Sequence, residues 1–312
     1  MELQKREYWI DFIKGIAILL VIICHIRGQY ATDEFEILIG TLHNPAFYFA
    51  SGYLYAQTKK RYGKQLFIKN MMRLLVPFME WSIIWGILEG VICKVSVINA
   101  IIGATQKLWF LAVLFICTVF ASLLDHYQIS IKWVYLTFVI CLVVGVYTSS
   151  MIAKILEAML IFRIGIDWNR FKPTRKMACI PVVFWMIGIV LMYEGVFNYS
   201  DTITPSGYHL LIYLVVCICG GCLMNGIALN SKNHITENNF KLIRYIGRNS
   251  LYFYVLHFGG IYYLEHSQVN MINCVIASIM CMGLPIIYVQ TLKKTFVEKI
   301  LFTPQFKHRV HM

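Results

Sequence analysis

Three ionisable residues, Asp11, Lys14 and His25, lie in the first strongly apolar segment of the chain, ahead of Arg27 at its end. An ionisable side chain inside a membrane span costs about 2.5–3.5 kcal/mol on insertion scales, so each of them is a candidate functional residue. Asp11 and Lys14 are three residues apart, on one face of a helix, and can form an ion pair. Ten residues separate Lys14 from His25, which is close to three helical turns, so the two side chains share a stripe about 16 Å apart along the axis.

This spacing puts a cation near one end of a single helix and an imidazole near the other end. A neutral imidazole can accept a proton from a hydroxyl and return it later, and it needs little tuning to do so near pH 7. A histidine that only satisfies the polar end of a helix is an equally good interpretation of the spacing alone. The pattern therefore indicates general-base chemistry at His25 as a hypothesis.

Two later apolar segments also contain histidine. His43 lies at the start of the second segment, at a predicted depth similar to that of His25, so the two imidazoles could face one cavity. His257 follows Ser250, which suits an N-cap, and is predicted near the middle of the membrane, where an imidazole without a partner is unfavourable.

Other polar residues in the apolar segments have competing interpretations. Glu80, about two turns into the third helix, either neutralises Lys14 or is a protonated packing residue. Trp109 opens the fourth segment and is typical of the aromatic belt at a membrane interface. Glu157 and Arg163 could pair with each other only through a neighbouring helix, and we interpret them as structural.

The elements that position these residues follow from composition. Of the 312 residues, 59% are hydrophobic and 14% are charged, and the mean hydropathy is +0.65, whereas about a quarter of the residues in a soluble domain are charged. Apolar runs of roughly 17–22 residues match the hydrocarbon thickness of a bilayer, and they lack the alternation of barrel strands. The predicted spans lie near residues 9–28, 40–56, 74–93, 108–124, 133–149, 151–166, 178–196, 208–229, 250–266 and 270–292.

The predicted fold is therefore an all-α integral membrane protein, a single bundle of about ten transmembrane helices. Residues 1–312 are expected to form one transmembrane domain with no separate soluble domain. The basic residues before the first span could suggest a secretory signal, but no small-residue cleavage site follows, so we interpret this segment as a retained helix. The lipid bilayer is the first expected partner.

The net charge of +12 is distributed unevenly along the chain. Basic residues concentrate in the segments that face the cytoplasm if both termini are cytoplasmic, which is the positive-inside pattern with an even number of spans. This explains the charge without a nucleic-acid partner and predicts a multi-pass protein of the cell membrane, plasma or inner. A nucleotide-sized polar ligand that arrives from the cytosol would meet a basic surface, although for most of these residues the topological interpretation is the better one.

The ten cysteines lie almost entirely within apolar segments, which is typical of small buried packing residues. Cys219 and Cys222 form one CxxC pair inside a span, and we do not assign it a redox or metal function. The sequence contains no GxSxG motif, no Ser-His-Asp order of a hydrolase and no metal-ligand cluster. No metal site is predicted.

Five fragments, in this order along the chain, resemble the membrane-bound acyltransferase family 3. The run from Tyr8 through Lys14 to His25 is similar to its first-helix signature, a basic residue and a histidine separated by ten residues. The other fragments are His43-Asn44-Pro45 with Ser51-Gly52-Tyr53, the segment Phe67–Phe78, Trp109-Phe110-Leu111, and Ser250 to His257. Continuous resemblance covers residues 8–78. Where the family often has two arginines three apart, this chain has Asn70 and Arg73, with Lys69 adjacent. If that pair holds the phosphates of the donor, either Lys69 stands in for the first arginine or donor binding is weakened.

The resemblance implies an O-acyltransferase that moves an acyl group, usually acetyl, from cytoplasmic acyl-CoA to a hydroxyl of a cell-surface or exported polysaccharide. Acyl-CoA is then a donor substrate, with no bound cofactor, and the glycan acceptor and polysaccharide-synthesis machinery are the expected partners. Carried over by position, His25 is the catalytic histidine, acting as general base or as a transient acyl carrier. The remaining assignments are Lys14, Lys69 and Arg73 for the donor, and Asp11, His43, Glu80, Trp109 and His257 for the substrate side.

Two alternative functions stay open at this point. A transporter or flippase of a lipid-linked sugar would also use intramembrane charges, but it predicts inverted repeats, and the sequence shows no convincing repeat. A membrane acyltransferase of another class, acting on lipid or protein, would also contain an intramembrane histidine, although it does not require the spacing of Lys14 and His25.

Overall fold

The computed structural model describes residues 7–27, 33–58, 63–148, 150–171, 175–194, 208–236, 238–268, 270–293 and 295–302. Within these ranges the regular secondary structure is entirely helical, and no β-strand is present. The helices are α1 (Tyr8–Arg27), α2 (Asp33–Ala56), α3 (Lys64–Asn70), a π-helical turn (Met71–Leu75), α4 (Val76–Cys93), α5 (Val97–Lys107), α6 (Trp109–His126), α7 (Ile131–Thr148), α8 (Ser150–Phe171), α9 (Arg175–Tyr193), α10 (Tyr208–Asn230), α11 (Lys241–Arg248), α12 (Ser250–Leu256), α13 (Phe258–Glu265), α14 (Met271–Thr291) and α15 (Phe296–Leu301).

Each predicted span overlaps a helix, and the ninth is divided between α12 and α13 at His257. Among the described residues, five segments are long and apolar enough to cross a membrane: Tyr8–Ile26, Lys64–Cys93, Trp109–His126, Ile212–Asn230 and Met271–Thr291. Large apolar side chains also point outward from the helices, as at Val91 and Ile98, which are 69% and 71% exposed. The prediction of an all-α membrane protein is confirmed, while the number of ten crossings and the cytoplasmic termini stay predictions.

The contacts divide the chain into two compact units, at positions where the sequence shows no linker. The first unit contains Met1–Thr58 and Ile129–Gly283, and the second contains Lys59–Gln128 and Leu284–Met312. The single domain expected from the sequence stays a prediction.

In the first unit, α2 and α8 cross at close range because each contributes a glycine. A Cβ atom on Gly52 would lie 1.9 Å from the carbonyl oxygen of Phe162, and one on Gly165 would lie 2.2 Å from that of Phe49. Small residues let helix backbones approach in this way where no aqueous hydrophobic effect drives association in lipid. The crossing therefore depends on the absence of a side chain at both positions.

The short helix α11 is held against α1 by a second glycine contact of this kind. A Cβ on Gly247 would lie 1.7 Å from the backbone oxygen of Asp11, and one on Gly15 would lie 2.0 Å from that of Ile243. The rings of Phe12 and Phe240 pack beside this contact, with centroids 4.9 Å apart. The start of α1 and the whole of α11 are thus fixed to each other.

The polar interior of α8 is arranged differently from the sequence-based interpretation. Arg163 pairs with Asp167, one turn later in the same helix, with Nε 2.7 Å from Oδ2 and side chains 6% and 0% exposed. The hydroxyl of Tyr135 donates to the same carboxylate oxygen at 3.4 Å. Arg163 thus has an ion-pair partner, Asp167, within its own helix, and the interpretation of Arg163 and Glu157 as structural stays a prediction.

In the second unit, α4 is packed against α5 and α15. The indole N–H of Trp81 donates to the carbonyl oxygen of Leu301 at 3.2 Å, and its ring lies 5.3 Å from that of Phe302. A Cβ on Gly86 would lie 2.5 Å from the Cα of Ile101. These contacts support the helix that carries Glu80.

Candidate active site

Two of the predicted histidines form a pair in the first unit. The ring of His25, near the end of α1, lies 5.4 Å from the ring of His257, measured between centroids. His25 is exposed, whereas the side chain of His257 is 0% exposed. Phe258 completes the cluster, with its ring 5.8 Å from His25 and 4.3 Å from His257. The exposed imidazole of His25 therefore lies beside the buried imidazole of His257.

The position of His257 is set by its own helix and by α14. Its Nδ1 lies 3.1 Å from the carbonyl oxygen of Phe253. A carbonyl can only accept, so Nδ1 carries the hydrogen and Nε2 is left with its lone pair. Nε2 is buried and has no hydrogen-bond partner in the part of the chain that the structure describes. The thiol of Cys281 donates to the carbonyl oxygen of His257 at 3.2 Å, and Gly260 lets α13 approach α14.

This pairing differs from the depth inferred from the sequence, which put His25 near one membrane face and His257 near the middle. The apolar segments alone could not show it, because the depth of a residue depends on where each helix begins and on its tilt. His43, the imidazole expected beside His25, is 8% exposed, and its Nδ1 lies 2.8 Å from the carbonyl oxygen of Ile39. Its role in lining the cavity stays a prediction.

The start of α1 forms one side of a pocket of about 470 Å³. Asp11, which is half-buried, lines this pocket, and Lys14 is half-buried one turn further along the helix. The complete lining is Tyr8, Asp11, Asn238, Lys241, Arg244, Tyr245 and Arg248. The sequence-based interpretation treated the three basic residues of α11 as topological signals and missed the pocket. Their spacing of three and four residues, which gives one basic face, is the signal that could have found it.

The predicted donor residues Lys69 and Arg73 lie in the second unit. Lys69 is in the last turn of α3, Arg73 is in the π-helical turn, and both side chains are exposed. π-helical turns are rare and are often found at functional sites, because the extra residue per turn re-aims the side chains. Asn70, at the junction of the two elements, lines a pocket of about 250 Å³ that also includes Phe67 and His126.

Glu80 and Trp109 also belong to the second unit. Glu80 is half-buried on α4, and one of its carboxylate oxygens is buried with no hydrogen-bond partner among the described residues. Such an atom requires an explanation, and a protonated carboxyl or a missing ligand would each provide one. Trp109 is the first residue of α6 and is half-buried. The pairing of Glu80 with Lys14 stays a prediction.

No group of three or more His, Cys, Asp or Glu side chains within the described ranges is arranged to hold a metal ion. The first unit thus brings together His25 with His257, and Asp11 with the basic face of α11. The chemistry that this arrangement can perform is proton transfer at an imidazole, with an anion-attracting surface at the other end of the same helix.

Comparison with known proteins adds one finding. Residues 7–289 match the family model described as an acyltransferase domain, Acyl_transf_3. Searches of curated proteins and of solved structures gave no match. The family match extends over most of the chain and includes both histidines of the pair and the basic pocket. The chain therefore belongs to acyltransferase family 3 and is a membrane acyltransferase.

Proposed function

We propose that the protein is an O-acyltransferase that moves an acyl group, acetyl in the simplest case, from cytoplasmic acyl-CoA to a hydroxyl of a cell-surface or exported polysaccharide. Family membership supports acyl transfer. The observation that carries the proposal is the histidine pair, in which an exposed His25 lies against a buried His257. We place the enzyme in the cell membrane, plasma or inner, with its donor on the cytoplasmic side.

In the direct route, the imidazole of His25 takes the proton of the acceptor hydroxyl while the hydroxyl oxygen attacks the thioester carbonyl carbon. The carbon–sulfur bond breaks and an oxygen ester forms. The proton then passes from His25 to the thiolate sulfur, so CoA leaves as the free thiol. Direct transfer requires both substrates within reach of one imidazole.

In the alternative route, one ring nitrogen of His25 attacks the thioester carbonyl carbon and the carbon–sulfur bond breaks. The ring carries the acyl group, and the proton of its other nitrogen passes to the thiolate sulfur, so CoA again leaves as the thiol. The acceptor hydroxyl then takes the acyl group and the imidazole is regenerated. Both routes give the same ester and the same free thiol, and they differ in whether donor and acceptor must be present together.

His257 acts as a positioning residue in this proposal. Its buried Nε2 lone pair is a hydrogen-bond acceptor for a ring nitrogen of His25, whose ring centroid lies 5.4 Å away. Such a bond would fix which nitrogen of His25 carries the hydrogen and leave the other nitrogen as the base. The buried ring would then orient the catalytic ring without touching the substrate.

The donor end of the proposed site uses cations. Lys14 on α1 is assigned to the acyl-CoA donor by its position in the family pattern, and so, separately, are Lys69 and Arg73 of the second unit, because cations attract the donor phosphates. Asp11 and Glu80 are assigned to the substrate side, together with His43 and Trp109. These roles follow from position in the family pattern, and the exposure of Lys69 supports its access to a soluble donor.

The test compares the initial rate of O-acylation of surface polysaccharide in cells with wild type, His25→Ala or His257→Ala. His266→Ala is the matched control, because His266 is an exposed histidine whose Nδ1 also lies near a carbonyl oxygen, that of Tyr262. The amount of each variant in the membrane is measured by immunoblot. Loss of general-base catalysis should lower the rate by about 10²–10⁴-fold in His25→Ala.

His257→Ala should lower the rate less than His25→Ala, and His257→Gln, whose amide oxygen can reach the position of Nε2 and accept a hydrogen bond, should recover part of the loss. His266→Ala should acylate at the wild-type rate. Unchanged acylation in His25→Ala at normal membrane levels would overturn the assignment of His25 as the catalytic residue.

A further inference from the structure

The helix α11 presents a row of cations on one face. Lys241, Arg244 and Arg248 are three and then four residues apart, so they lie one above the other along the helix. The opposite face is apolar and is fixed to α1 through Gly247. Because that contact leaves no room for rotation of the helix, the direction of the basic row is also fixed.

The basic row forms one side of the 470 Å³ pocket described above, hereafter the basic pocket. Its lining contains three cations and one carboxylate, that of Asp11, so the local charge is positive. Its volume is within the roughly 300–1,000 Å³ that is usual for small-ligand sites. An anion of the size of a phosphate, with part of the molecule attached to it, would fit there.

The guanidinium of Arg244 in the basic pocket is already oriented before an anion binds. Arg244 donates from Nε to the carbonyl oxygen of Asn239 at 2.9 Å, and its guanidinium lies 4.8 Å from the ring centroid of Tyr8. These two contacts hold the guanidinium in one orientation, so that little side-chain freedom remains to be lost when an anion binds.

Tyr245 also lines the basic pocket. Its hydroxyl oxygen is buried away from water, with no hydrogen-bond partner among the described residues, so other atoms of this residue form the lining.

A purely topological role for these cations does not account for the arrangement. The positive-inside effect depends on the number of Lys and Arg residues near a span and requires neither a defined pocket nor a fixed helix. Here the helix is locked by Gly15 and Gly247, and one arginine of the row is oriented by the ring of Tyr8, which lines the same pocket.

We propose that the basic pocket is a phosphate-binding site, lined by Lys241, Arg244, Arg248 and Tyr245. Two sources of phosphate fit this chemistry, the nucleotide end of the acyl-CoA donor and the head group of an anionic phospholipid at the membrane surface. Only the first source rests on the proposed function. The phosphate oxygens accept hydrogen bonds from the arginines and the lysine, and charge-assisted bonds of this kind are among the strongest available.

The test uses the purified full-length chain in nanodiscs of phosphatidylcholine. One arm titrates CoA and dephospho-CoA, which lacks the 3′-phosphate, into wild type, Arg248→Gln and Tyr245→Phe. Lys232→Gln is the matched control, because Lys232 is an exposed cation between α10 and α11 that does not line the basic pocket. The second arm measures how much phosphatidylglycerol in the nanodisc raises the thermal stability of each protein.

If the donor is the source, Arg248→Gln should weaken CoA binding by about tenfold, since each tenfold in Kd corresponds to 1.4 kcal/mol and charged hydrogen bonds contribute about that much. Tyr245→Phe, which removes a hydroxyl that is buried away from the open pocket, and Lys232→Gln should both bind as wild type does. A loss for CoA but not for dephospho-CoA would assign the 3′-phosphate to the pocket, and an equal loss for both would assign the diphosphate.

If a phospholipid is the source, CoA binding should be unchanged in the variants, and the stabilisation by phosphatidylglycerol should fall in Arg248→Gln but not in Lys232→Gln. An Arg248→Gln variant that equals wild type in both arms would overturn the phosphate site. Absence of CoA binding by wild type itself would instead contradict the proposed function, and the lipid arm would then decide alone on the pocket.

Discussion

Replacing Gly247 with alanine should force α11 away from α1 and weaken both the fold and the transferase. The added Cβ would lie 1.7 Å from the backbone oxygen of Asp11 and 2.6 Å from the backbone nitrogen of Gly15, whereas real Cβ contacts under 3.0 Å are essentially never seen. Both atoms belong to the backbone, so no side-chain rotation relieves the clash. The two helices must separate by more than about 1 Å.

The expected cost combines two opposing effects. Overpacking a well-packed contact costs about 1–3 kcal/mol, and occasionally more. Alanine returns about 1 kcal/mol through its higher helix propensity. Because the clash at Gly247 involves backbone on α1 and cannot be relieved locally, the upper part of the range applies, and we expect a net loss of about 2 kcal/mol.

The transferase should lose more than stability alone predicts. α11 is followed directly by Asn249, whose side chain donates to the carbonyl oxygen of Tyr245 at 2.8 Å, and then by α12, which leads to His257. A displacement of α11 therefore moves His257 relative to His25. A misplacement of about 1 Å in a catalytic arrangement can lower the rate by about 10²-fold.

The assay measures thermal unfolding of the detergent-purified protein and O-acylation in cells, with Gly226→Ala as the matched control. A Cβ on Gly226, in α10, meets nothing within 4 Å, so this variant should be as stable as wild type or slightly more so. If Gly247→Ala unfolds at the same temperature as Gly226→Ala and acylates at the same rate, α11 does not pack on α1 as described.

Three further substitutions test the interior of the two units. Arg163→Met should destabilise the protein by about 3–5 kcal/mol by leaving the buried Asp167 carboxylate unpaired, and adding Asp167→Leu should restore most of the loss, as thermal unfolding would show. Gly52→Ala should lower the amount of folded protein in the membrane, because its Cβ would lie 1.9 Å from the carbonyl oxygen of Phe162, and normal levels would contradict that crossing. Trp81→Phe should cost about 1 kcal/mol through the lost bond to the C-terminal helix, and no change in unfolding temperature would exclude that bond.

The helices themselves could be predicted from the sequence with little loss, because an apolar run long enough to cross a bilayer has few alternatives to a helix. The predicted first span, residues 9–28, differs from α1 by about one residue at each end. Short helices were missed, since α11 has a mixed composition and too few residues to give a hydropathy signal. The spacing of its basic residues is typical of one face of a helix, but a topological role for these cations explains the same residues without a helix.

The candidate site was only partly predictable for a related reason. The spacing of Lys14 and His25 lies within one helix, so periodicity was enough to place both on one stripe. The contact between His25 and His257 joins residues far apart in sequence, and it depends on the close approach of α1, α12 and α13. The pair of Arg163 and Asp167 was within reach of the sequence, because two residues four apart on one helix are neighbours.

The packing of α1 has one more consequence, for the size of the donor. This helix contacts α11 at its start and α12 and α13 further along, so the basic pocket and the imidazole pair are attached to one rigid rod. An α-helix rises 1.5 Å per residue and resists stretching, so the interval between the two positions cannot adapt to the ligand. The fixed length of α1 would then select the donor by size. A donor whose phosphate and thioester are separated by this interval would be accepted, and a shorter or longer donor would be rejected whatever its acyl group.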